Sequence, residues 1–406
     1  MTNLTRRHFT GLVLAGTQAR NLFAATSIGD TLQASMLRRG IPGVVAQAVD
    51  LNKVLYSGAF GNRDAASNVA LNDDSIFQIA SMTKPITSIA ALQLVEQGKV
   101  SLDEPVSKHL PKLANAQVLE GFDASGNPTL RPAKKAITLR HLLTHTSGIS
   151  YPTWHAKMMQ WSQKNNLGPT AIAPVVPLMF DPGTSWQYGY GIDWTGRLVE
   201  TLSGLTLQQY FRRNILDPLG MNDTDFGVAP AKFDRLVAIY NRQPDGKFQA
   251  GPRTQPPAPT DFNGGGGLSS TANDYVKFTR MLLRHGAGEG SVRILKASTV
   301  QDIFKNQIGS VVAGKMKTQQ PNVTADVDTN PGHPDKWGLI GLLRGPGMPG
   351  LRSEGSTAWA GIYNTFFWVD PKKNIAGVVM MQYLPFYDPE AVGLLTDFER
   401  SVYASL

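Results

Sequence analysis

The sequence contains no cysteine. This absence excludes disulfide bonds, thiolate metal sites and a cysteine nucleophile. Long apolar runs are also missing, since none approaches the roughly 20 residues that a membrane-spanning helix needs. Hydrophobic residues nevertheless make up 42% of the 406 residues. A chain of this length and composition is expected to form one large or two interleaved globular domains.

Dense clusters of positive charge are absent as well. The formal net charge is +8, but basic residues are grouped no more closely than in adjacent pairs such as Arg38-Arg39 and Lys372-Lys373. A nucleic-acid-binding surface would show a basic stripe or run with interleaved aromatic residues. We therefore expect a solvated basic surface and no nucleic-acid partner.

The first 26 residues have two interpretations. The stretch "LTRRHFTGLVLAG" (4–16) places twin arginines before a short apolar segment, which is typical of a twin-arginine export signal. Polar residues interrupt the apolar run early, at Gln18, Arg20 and Asn21, and no clear cleavage site follows. The sequence therefore leaves open a periplasmic or secreted protein and a cytoplasmic protein with an uncleaved N-terminal arm.

The distribution of apolar residues predicts strands near both ends of the chain and helices between them. Residues 43–64 and 363–382 each have the pattern of a β-hairpin. The segment from Met82 to about Gly98 has apolar residues at helical spacing. Further helices are predicted at 138–145, 192–202, 206–216 and 271–283, the last capped by Ser270 or Thr271.

This order of elements predicts an α/β (α+β) fold with two domains. Residues 27–100 and 281–406 would form one α/β domain from both ends of the chain, and residues 101–280 a mainly helical domain. A cleft is expected where the two domains meet.

A candidate nucleophile lies in "FQIASMTKPIT" (77–87), where Ser81 stands three positions before Lys84. At this spacing the two side chains lie on one face of a helix. Pro85 is tolerated only near a helix start, which places Ser81 at the N-terminus, where free backbone N–H groups can stabilise an oxyanion. An ordinary lysine is protonated at neutral pH, so its use as a base requires burial or a neighbouring cation.

A third group would be needed to pass protons to the leaving group. The candidate is Tyr188 in "DPGTSWQYGYGIDWTGRLVE" (181–200), on a short loop before a helix. A phenol close to an amine can exchange protons with the serine and with the leaving group. A cleft-lining aromatic residue without a catalytic role is the alternative.

Several stretches in the same order and spacing resemble the serine β-lactamase and penicillin-binding-protein superfamily, in particular the branch of class C β-lactamases and family VIII carboxylesterases. The resemblance covers nearly everything from about residue 28 onward. It rests on "SMTKPIT" (81–87), "LRHLLTHTSGI" (139–149), "DPGTSWQY" (181–188), "DPLGMNDT" (217–224), "GGGGLSSTANDYVKF" (264–278) and "WAGIYNTFFWVDPKKN" (359–374). It implies a β-lactamase-like fold, an antiparallel sheet flanked by helices plus an all-helical lobe.

The resemblance also implies roles for individual residues. Ser81 would be the nucleophile, Lys84 its base and Tyr188 the proton-shuttling tyrosine. The oxyanion hole would consist of the backbone N–H groups of Ser81 and Ile362. The substrate-binding residues would be Trp359, Ala360, Gly361 and Tyr190. No metal or other cofactor is implied.

Two departures from the β-lactamase pattern favour ester substrates. The tyrosine motif of those enzymes ends in asparagine, whereas this chain has Tyr190 there. Trp359 replaces the lysine that binds the β-lactam carboxylate, a contact worth about 1.5–3 kcal/mol as a hydrogen bond to a charged group. The resemblance therefore implies a serine carboxylesterase for short-chain esters, working through an acyl-enzyme. The alternatives are a β-lactamase, amidase or D-amino-acid peptidase, and a non-catalytic penicillin-binding or sensor-like protein.

Other motifs point to competing sites only weakly. His141 and His145 have the i, i+4 spacing of a metal pair, but no glutamate follows the first and no third ligand is evident. The "GGGG" at 264–267 lacks the Gly-Lys-Ser/Thr ending of a phosphate loop and is predicted to form a hinge-like turn. No G-x-S-x-G motif occurs, which disfavours an α/β-hydrolase.

Overall fold

The computed structural model describes residues 27–64, 68–168, 171–255 and 258–406. The candidate export signal at 1–26 lies outside the described residues. The α-helices are α1 Ile28–Arg38, α2 Thr83–Glu96, α3 Leu139–Leu143, α4 Ala156–Lys164, α5 Gly191–Ser203, α6 Leu207–Phe211, α7 Ala272–Leu283, α8 Ala297–Ile303 and α9 Pro389–Ala404. The strands are β1 Gly43–Val49, β2 Val54–Gly61, β3 Phe77–Gln78, β4 Gln117–Phe122, β5 Pro128–Pro132, β6 Asp225–Phe226, β7 Tyr240–Arg242, β8 Phe248–Ala250, β9 Leu268–Ser270, β10 Lys315–Met316, β11 Val327–Asp328, β12 Lys336–Trp337, β13 Leu342–Leu343, β14 Thr357–Gly361, β15 Thr365–Asp370, β16 Ile375–Met380 and β17 Tyr383–Leu384.

The main sheet has seven strands in the order β12-β13-β14-β15-β16-β1-β2, and every neighbouring pair is antiparallel. The two predicted hairpins are confirmed as β1–β2 and β15–β16. They meet in the middle of the sheet, where Val45 is opposite Met380. The antiparallel sheet flanked by helices confirms the predicted β-lactamase-like fold.

Helices cover both faces of the sheet. Tyr275 of α7 contacts Phe367 on one face, with 5.4 Å between ring centroids, and Phe398 of α9 contacts Trp368 on the other, at 6.0 Å. Because β15 and β16 are covered on both sides, all of their residues are buried. This explains why these strands have nearly continuous apolar sequences rather than alternating ones.

Helix α2 runs through the centre of the molecule, and its residues from Thr83 to Leu94 are all buried. It packs against α5, which ends where Gly204 adopts a left-handed conformation with φ of 71°. Helix α7 is capped by Thr271, whose side chain accepts a hydrogen bond from the N–H of Asp274. Thr271 is thus the correct one of the two predicted caps.

Two details of the middle region differ from the simplest reading of the sequence. The continuous helix predicted for 206–216 is wrong in part, since the α-helix ends at Phe211 and a π-helical turn follows over Arg212–Leu216. Short strands from β4 to β9 also lie among the helices. The division into two domains with boundaries at residues 100 and 280 stays a prediction.

None of the helices in the described parts of the chain is long and apolar enough to cross a membrane.

Candidate active site

Ser81 lies on a sharp turn between a strand and a helix. Strand β3 ends at Gln78, a 3-10 turn covers Ala80–Met82, and α2 begins at Thr83. Ala80 has φ of 42°, a left-handed conformation that costs energy in a residue with a side chain. The serine therefore precedes the regular α-helix by one short turn, rather than opening it as the sequence suggested.

Lys84 is buried and makes three contacts. Its Nζ lies 3.2 Å from Ser81 Oγ, 3.1 Å from the Tyr151 hydroxyl and 2.5 Å from the Gly265 carbonyl oxygen. Three partners satisfy an ammonium group completely. They also suit a neutral amine, which would donate to two of them and accept the serine proton with its lone pair. The structure thus brings the predicted nucleophile and base within hydrogen-bonding distance.

A buried acid extends this contact beyond Tyr151. The Tyr151 hydroxyl donates to Asp193 Oδ2 over 3.1 Å, and Asp193 Oδ1 has no partner among the described residues. Burial raises the pKa of Asp193 to about 6, although the nearby Lys84 and the Tyr151 hydrogen bond act in the opposite direction. Burial, with the charge of Asp193, raises the pKa of Tyr151 well above its usual value, so this phenol stays protonated.

Tyr188 contacts the same lysine through its ring. Lys84 Nζ lies 4.8 Å from the centre of the Tyr188 ring. The Tyr188 hydroxyl accepts a 3.0 Å hydrogen bond from Trp359 Nε1. It donates no hydrogen bond to another group in the described parts of the chain, so its proton remains available. The phenol bonded directly to Lys84 is therefore that of Tyr151, not that of Tyr188.

Tyr188 belongs to a cluster of four aromatic rings, and its own ring contacts those of Trp359 and Tyr151. Trp359 lies against Tyr188 with 4.9 Å between ring centroids, and Tyr190 packs edge-on against Tyr151 at 4.3 Å. All four rings are at least partly buried. The predicted substrate-binding residues Trp359 and Tyr190 are thus brought close to Lys84, in surroundings that favour apolar groups over ions.

The two histidines of the alternative metal pair have other contacts. His141 Nδ1 accepts a hydrogen bond from the N–H of Thr138 and closes a capping box at the start of α3. His145 is buried against Tyr188 and Trp337, and burial lowers its pKa well below the usual value. His145 is therefore neutral and supports the Tyr188 ring. Within the described ranges no cluster of three or more histidines and carboxylates could hold a metal ion.

Strand β14 runs beside the serine turn. On one side of β14, strand β13 pairs only with Thr357 and Ala358. On that side the residues Trp359–Gly361 of β14 therefore have no pairing with β13. A Cβ atom on Gly361 would lie 2.3 Å from the Ile79 carbonyl oxygen, so only glycine permits this approach. The N–H groups of Ser81 and Ile362 bond to no other protein group in the described ranges. Their role as an oxyanion hole stays a prediction.

The glycine-rich turn closes the other side of the lysine. The carbonyl oxygens of Gly264 and Gly265 accept hydrogen bonds from Thr87 and Lys84 of α2. A Cβ atom on Gly265 would lie 2.2 Å from Asp193 Oδ2. The glycines therefore allow the backbone to approach both the base and the buried acid.

Two members of this cluster, Tyr151 and Asp193, were missed in the sequence. Tyr151 follows the "HTSGI" stretch by two residues, and Asp193 lies in the first turn of α5 among apolar neighbours. An acidic residue among the apolar positions of a helix could have indicated Asp193 as a site residue, because such residues are seldom buried without a partner. Neither position has a spacing that would link it to Ser81.

Comparison with known proteins agrees with this geometry. The Beta-lactamase family model matches residues 28–397. The chain belongs to the beta-lactamase family. An ML-236A carboxylate methylbutanoyltransferase from Penicillium citrinum is 31% identical over 388 residues, which cover 90% of this chain and 91% of that protein. A lovastatin esterase from Penicillium rubens is 33% identical over 391 residues, covering 92% and 97%.

Comparison with solved structures gives the same result. The LovD6 mutant of simvastatin synthase from Aspergillus terreus superposes with a TM-score of 0.78 at 32% identity, over 93% of both chains. The similarity to named enzymes extends over nearly the full length of each protein. The prediction of a serine-hydrolase-type enzyme in this superfamily is therefore confirmed.

Proposed function

We propose that the protein is a serine acyl-transfer enzyme that takes an acyl group from an ester onto Ser81 and passes it to an alcohol or to water. The observation that carries this proposal is the contact of Ser81 Oγ with Lys84 Nζ at 3.2 Å, continued from Lys84 to Tyr151 and Asp193. A hydroxyl bound to a buried amine is the arrangement that an activated nucleophile requires.

The first half-reaction forms the acyl-enzyme. Lys84 accepts the hydroxyl proton of Ser81 while the serine oxygen attacks the ester carbonyl carbon. The carbonyl oxygen becomes an oxyanion, for which the free N–H groups of Ser81 and Ile362 are the proposed donors. The carbon–oxygen bond to the alcohol then breaks, and the departing alkoxide takes a proton.

Tyr188 is the proposed donor of that proton. Its hydroxyl is held by the Trp359 indole N–H, which leaves the phenolic proton free to move to the leaving oxygen. Lys84, protonated by Ser81 and 4.8 Å from the centre of the Tyr188 ring, is the proposed source that restores the proton to the phenolate. In the second half-reaction an alcohol or water attacks the acyl group, and the same groups move protons in the reverse order.

The role of Tyr151 and Asp193 is to hold Lys84. A carboxylate at one end of this chain of hydrogen bonds keeps the Tyr151 hydroxyl turned towards Asp193, so that its oxygen accepts from the lysine. This fixes the direction of the amine relative to Ser81 without taking part in bond making.

Acyl transfer to an alcohol is a better description than simple short-chain ester hydrolysis. Relatives covering about nine-tenths of the chain include methylbutanoyltransferases as well as an esterase. The aromatic surroundings of Tyr188 favour an alcohol acceptor over water, because they bind apolar groups. Methylbutanoyl, the group named for those transferases, supports a short branched acyl donor.

Product analysis tests the proposal. The protein is incubated with p-nitrophenyl butyrate and an added apolar alcohol such as cyclohexanol, and butyrate and the new ester are measured by mass spectrometry. We expect the new ester to form and Ser81→Ala to abolish both products, with a fall on the order of 10⁴-fold or more. A fluorophosphonate probe should label Ser81 in the wild type alone. Release of p-nitrophenol without any Ser81 dependence would contradict the proposal.

The alternative functions are separated on the same preparation. A β-lactamase or amidase would turn over nitrocefin with a higher kcat/KM than p-nitrophenyl butyrate, whereas we expect the reverse because Trp359 supplies no cation for the β-lactam carboxylate. A non-catalytic binding protein would turn over neither substrate and would leave the probe unreacted.

A further inference from the structure

A cavity lies beside the sheet, at the side covered by α9. Its volume is about 610 Å³, within the range of small-molecule binding sites. It is lined by Ala358 and Ala360 of β14, by Phe366 of β15, and by Val392 and Thr396 of α9. Neither Ser81 nor Lys84 lines this cavity.

The register of the sheet relates the cavity to the candidate active site. Ala358 is directly opposite Trp368, which contacts Phe398 of α9, so Ala358 also faces α9. Trp359, the next residue, also lines the cavity, but its indole packs on Tyr188. Successive residues of a strand point to opposite faces. Strand β14 therefore separates the cavity from the Tyr188 side and contributes to both.

The carboxylates around the cavity are already paired. Each of the four lining carboxylates forms an ion pair with a cation within 4.0 Å. The pairs are Asp326–Lys317, Asp328–Lys315, Asp397–Arg39 and Glu399–Arg352. Arg39 and Arg352 thereby have acidic partners. Arg344 is the one lining arginine that has no carboxylate within this distance in the described parts of the chain.

The guanidinium of Arg344 is only partly satisfied. The residue is 7% exposed, and Nη1 donates to the Thr329 carbonyl oxygen over 3.1 Å. Nε and Nη2 have no partner among the described residues. A buried cation without an acidic partner within 4.0 Å is costly, and burial with the nearby Arg352 lowers the pKa of Arg344, although Asp335 and Glu399 act in the opposite direction from farther away. An anion at this end of the cavity would remove that cost.

We propose that this cavity binds a carboxylic acid with an apolar body. The carboxylate pairs with Arg344, and the hydrocarbon part lies along Ala358, Phe366 and Val392. Two parallel N–H···O bonds are the geometry that a guanidinium and a carboxylate prefer. Nε and Nη2 are shielded from solvent in this structure, so the proposal requires the guanidinium to turn towards the cavity when the acid binds.

Calorimetric titration of the full chain tests this proposal. Octanoate is the probe, and Ser81→Ala protein is used so that no chemistry occurs. We expect saturable binding, at least tenfold weaker binding in an additional Arg344→Gln variant, and an intermediate affinity in Arg344→Lys, because a hydrogen bond to a charged group is lost or reduced. Arg293→Gln is the matched control, since Arg293 bonds only to carbonyl oxygens and does not line the cavity.

The affinities of octanoate and 1-octanol are also compared, and this second test needs no substitution of Arg344. Octanoate should bind at least tenfold more tightly than 1-octanol if Arg344 recognises the carboxylate. Equal affinities, absence of octanoate binding, or an unchanged affinity in a folded Arg344→Gln variant would overturn the proposal. The outcome is independent of the proposed function, because a chain that binds octanoate yet transfers no acyl group, or the reverse, is distinguishable in the two assays.

Discussion

The indole N–H of Trp359 donates a 3.0 Å hydrogen bond to the hydroxyl oxygen of Tyr188. The two residues come from strand β14 and from the loop before α5, and their rings are also in contact. The bond occupies a lone pair of the phenol and leaves its proton free. Trp359 therefore orients Tyr188 in addition to lining the substrate site.

Trp359→Phe should lower kcat about tenfold and leave KM nearly unchanged. The phenyl ring keeps most of the apolar contact, whereas the hydrogen bond to Tyr188 is lost, at a cost of about 0.5–1.5 kcal/mol for a typical hydrogen bond. Steady-state kinetics with p-nitrophenyl butyrate measure both constants. An unchanged kcat would show that the indole N–H does not orient the phenol.

Removing each phenolic hydroxyl in turn should separate their two roles. Tyr188→Phe is expected to lower kcat/KM by about 10²–10⁴-fold, the usual contribution of a general acid. Tyr151→Phe should cost about tenfold to a hundredfold, because Lys84 loses one of three partners but keeps the Ser81 contact. If Tyr151→Phe proved the more damaging change, Tyr151 would be the proton donor in place of Tyr188. Both variants retain the rings, so circular dichroism should show unchanged folding.

Asp193→Asn should lower activity yet stabilise the protein above pH 6. The pKa of Asp193 is about 6 in the folded chain, against 3.8 as the ordinary value, so the folded state binds this proton more tightly than the unfolded state. Stability therefore falls as the pH rises from about 4 to 6, by about 3 kcal/mol at most for two pKa units. Asparagine does not ionise, so the variant does not lose this stability as the pH rises.

Urea unfolding at pH 5 and pH 8 measures that difference. The wild type should lose stability between the two values relative to Asp193→Asn, and kcat/KM of the wild type should fall below about pH 6 as Asp193 is protonated. The other titratable or charged groups around this carboxylate are Lys84, Tyr151, Tyr190 and Arg197. An acid limb that persists unchanged in Asp193→Asn would show that protonation of Asp193 does not cause it.

Gly361→Ala should reduce both stability and turnover. The added methyl group would lie 2.3 Å from the Ile79 carbonyl oxygen and force β14 away from the serine turn. Gly121→Ala is the matched control, because a Cβ atom there meets nothing within 4 Å. Thermal unfolding and p-nitrophenyl butyrate turnover should change in the first variant alone. Full activity in a folded Gly361→Ala variant would argue against close contact between β14 and Ser81 during catalysis.

Most of the fold was predictable because its elements have strong local signals. The hairpins at 43–61 and 365–380 and helices α2, α5 and α7 all follow from apolar periodicity and turn residues. One exception, the π-helical turn at Arg212–Leu216, depends on tertiary packing, which propensity does not encode.

The site was predictable only where its residues are close in sequence. Ser81 and Lys84 lie one turn apart, so their contact follows from helical geometry. Tyr151 and Asp193 reach Lys84 from separate segments, and nothing in their local sequence indicates that meeting. The hydrogen bond from Trp359 to Tyr188 likewise depends on how β14 lies against a distant loop.

The pairing of β1 with β16 has a consequence for biosynthesis. Strand β1 must wait for a partner that is synthesised much later in the chain, and such non-local pairing is slow to form. A nascent chain that already displays Ser81 still lacks Trp359 and Ile362. The protein should therefore acquire its reactivity in a single late step, and prematurely terminated copies should be inert.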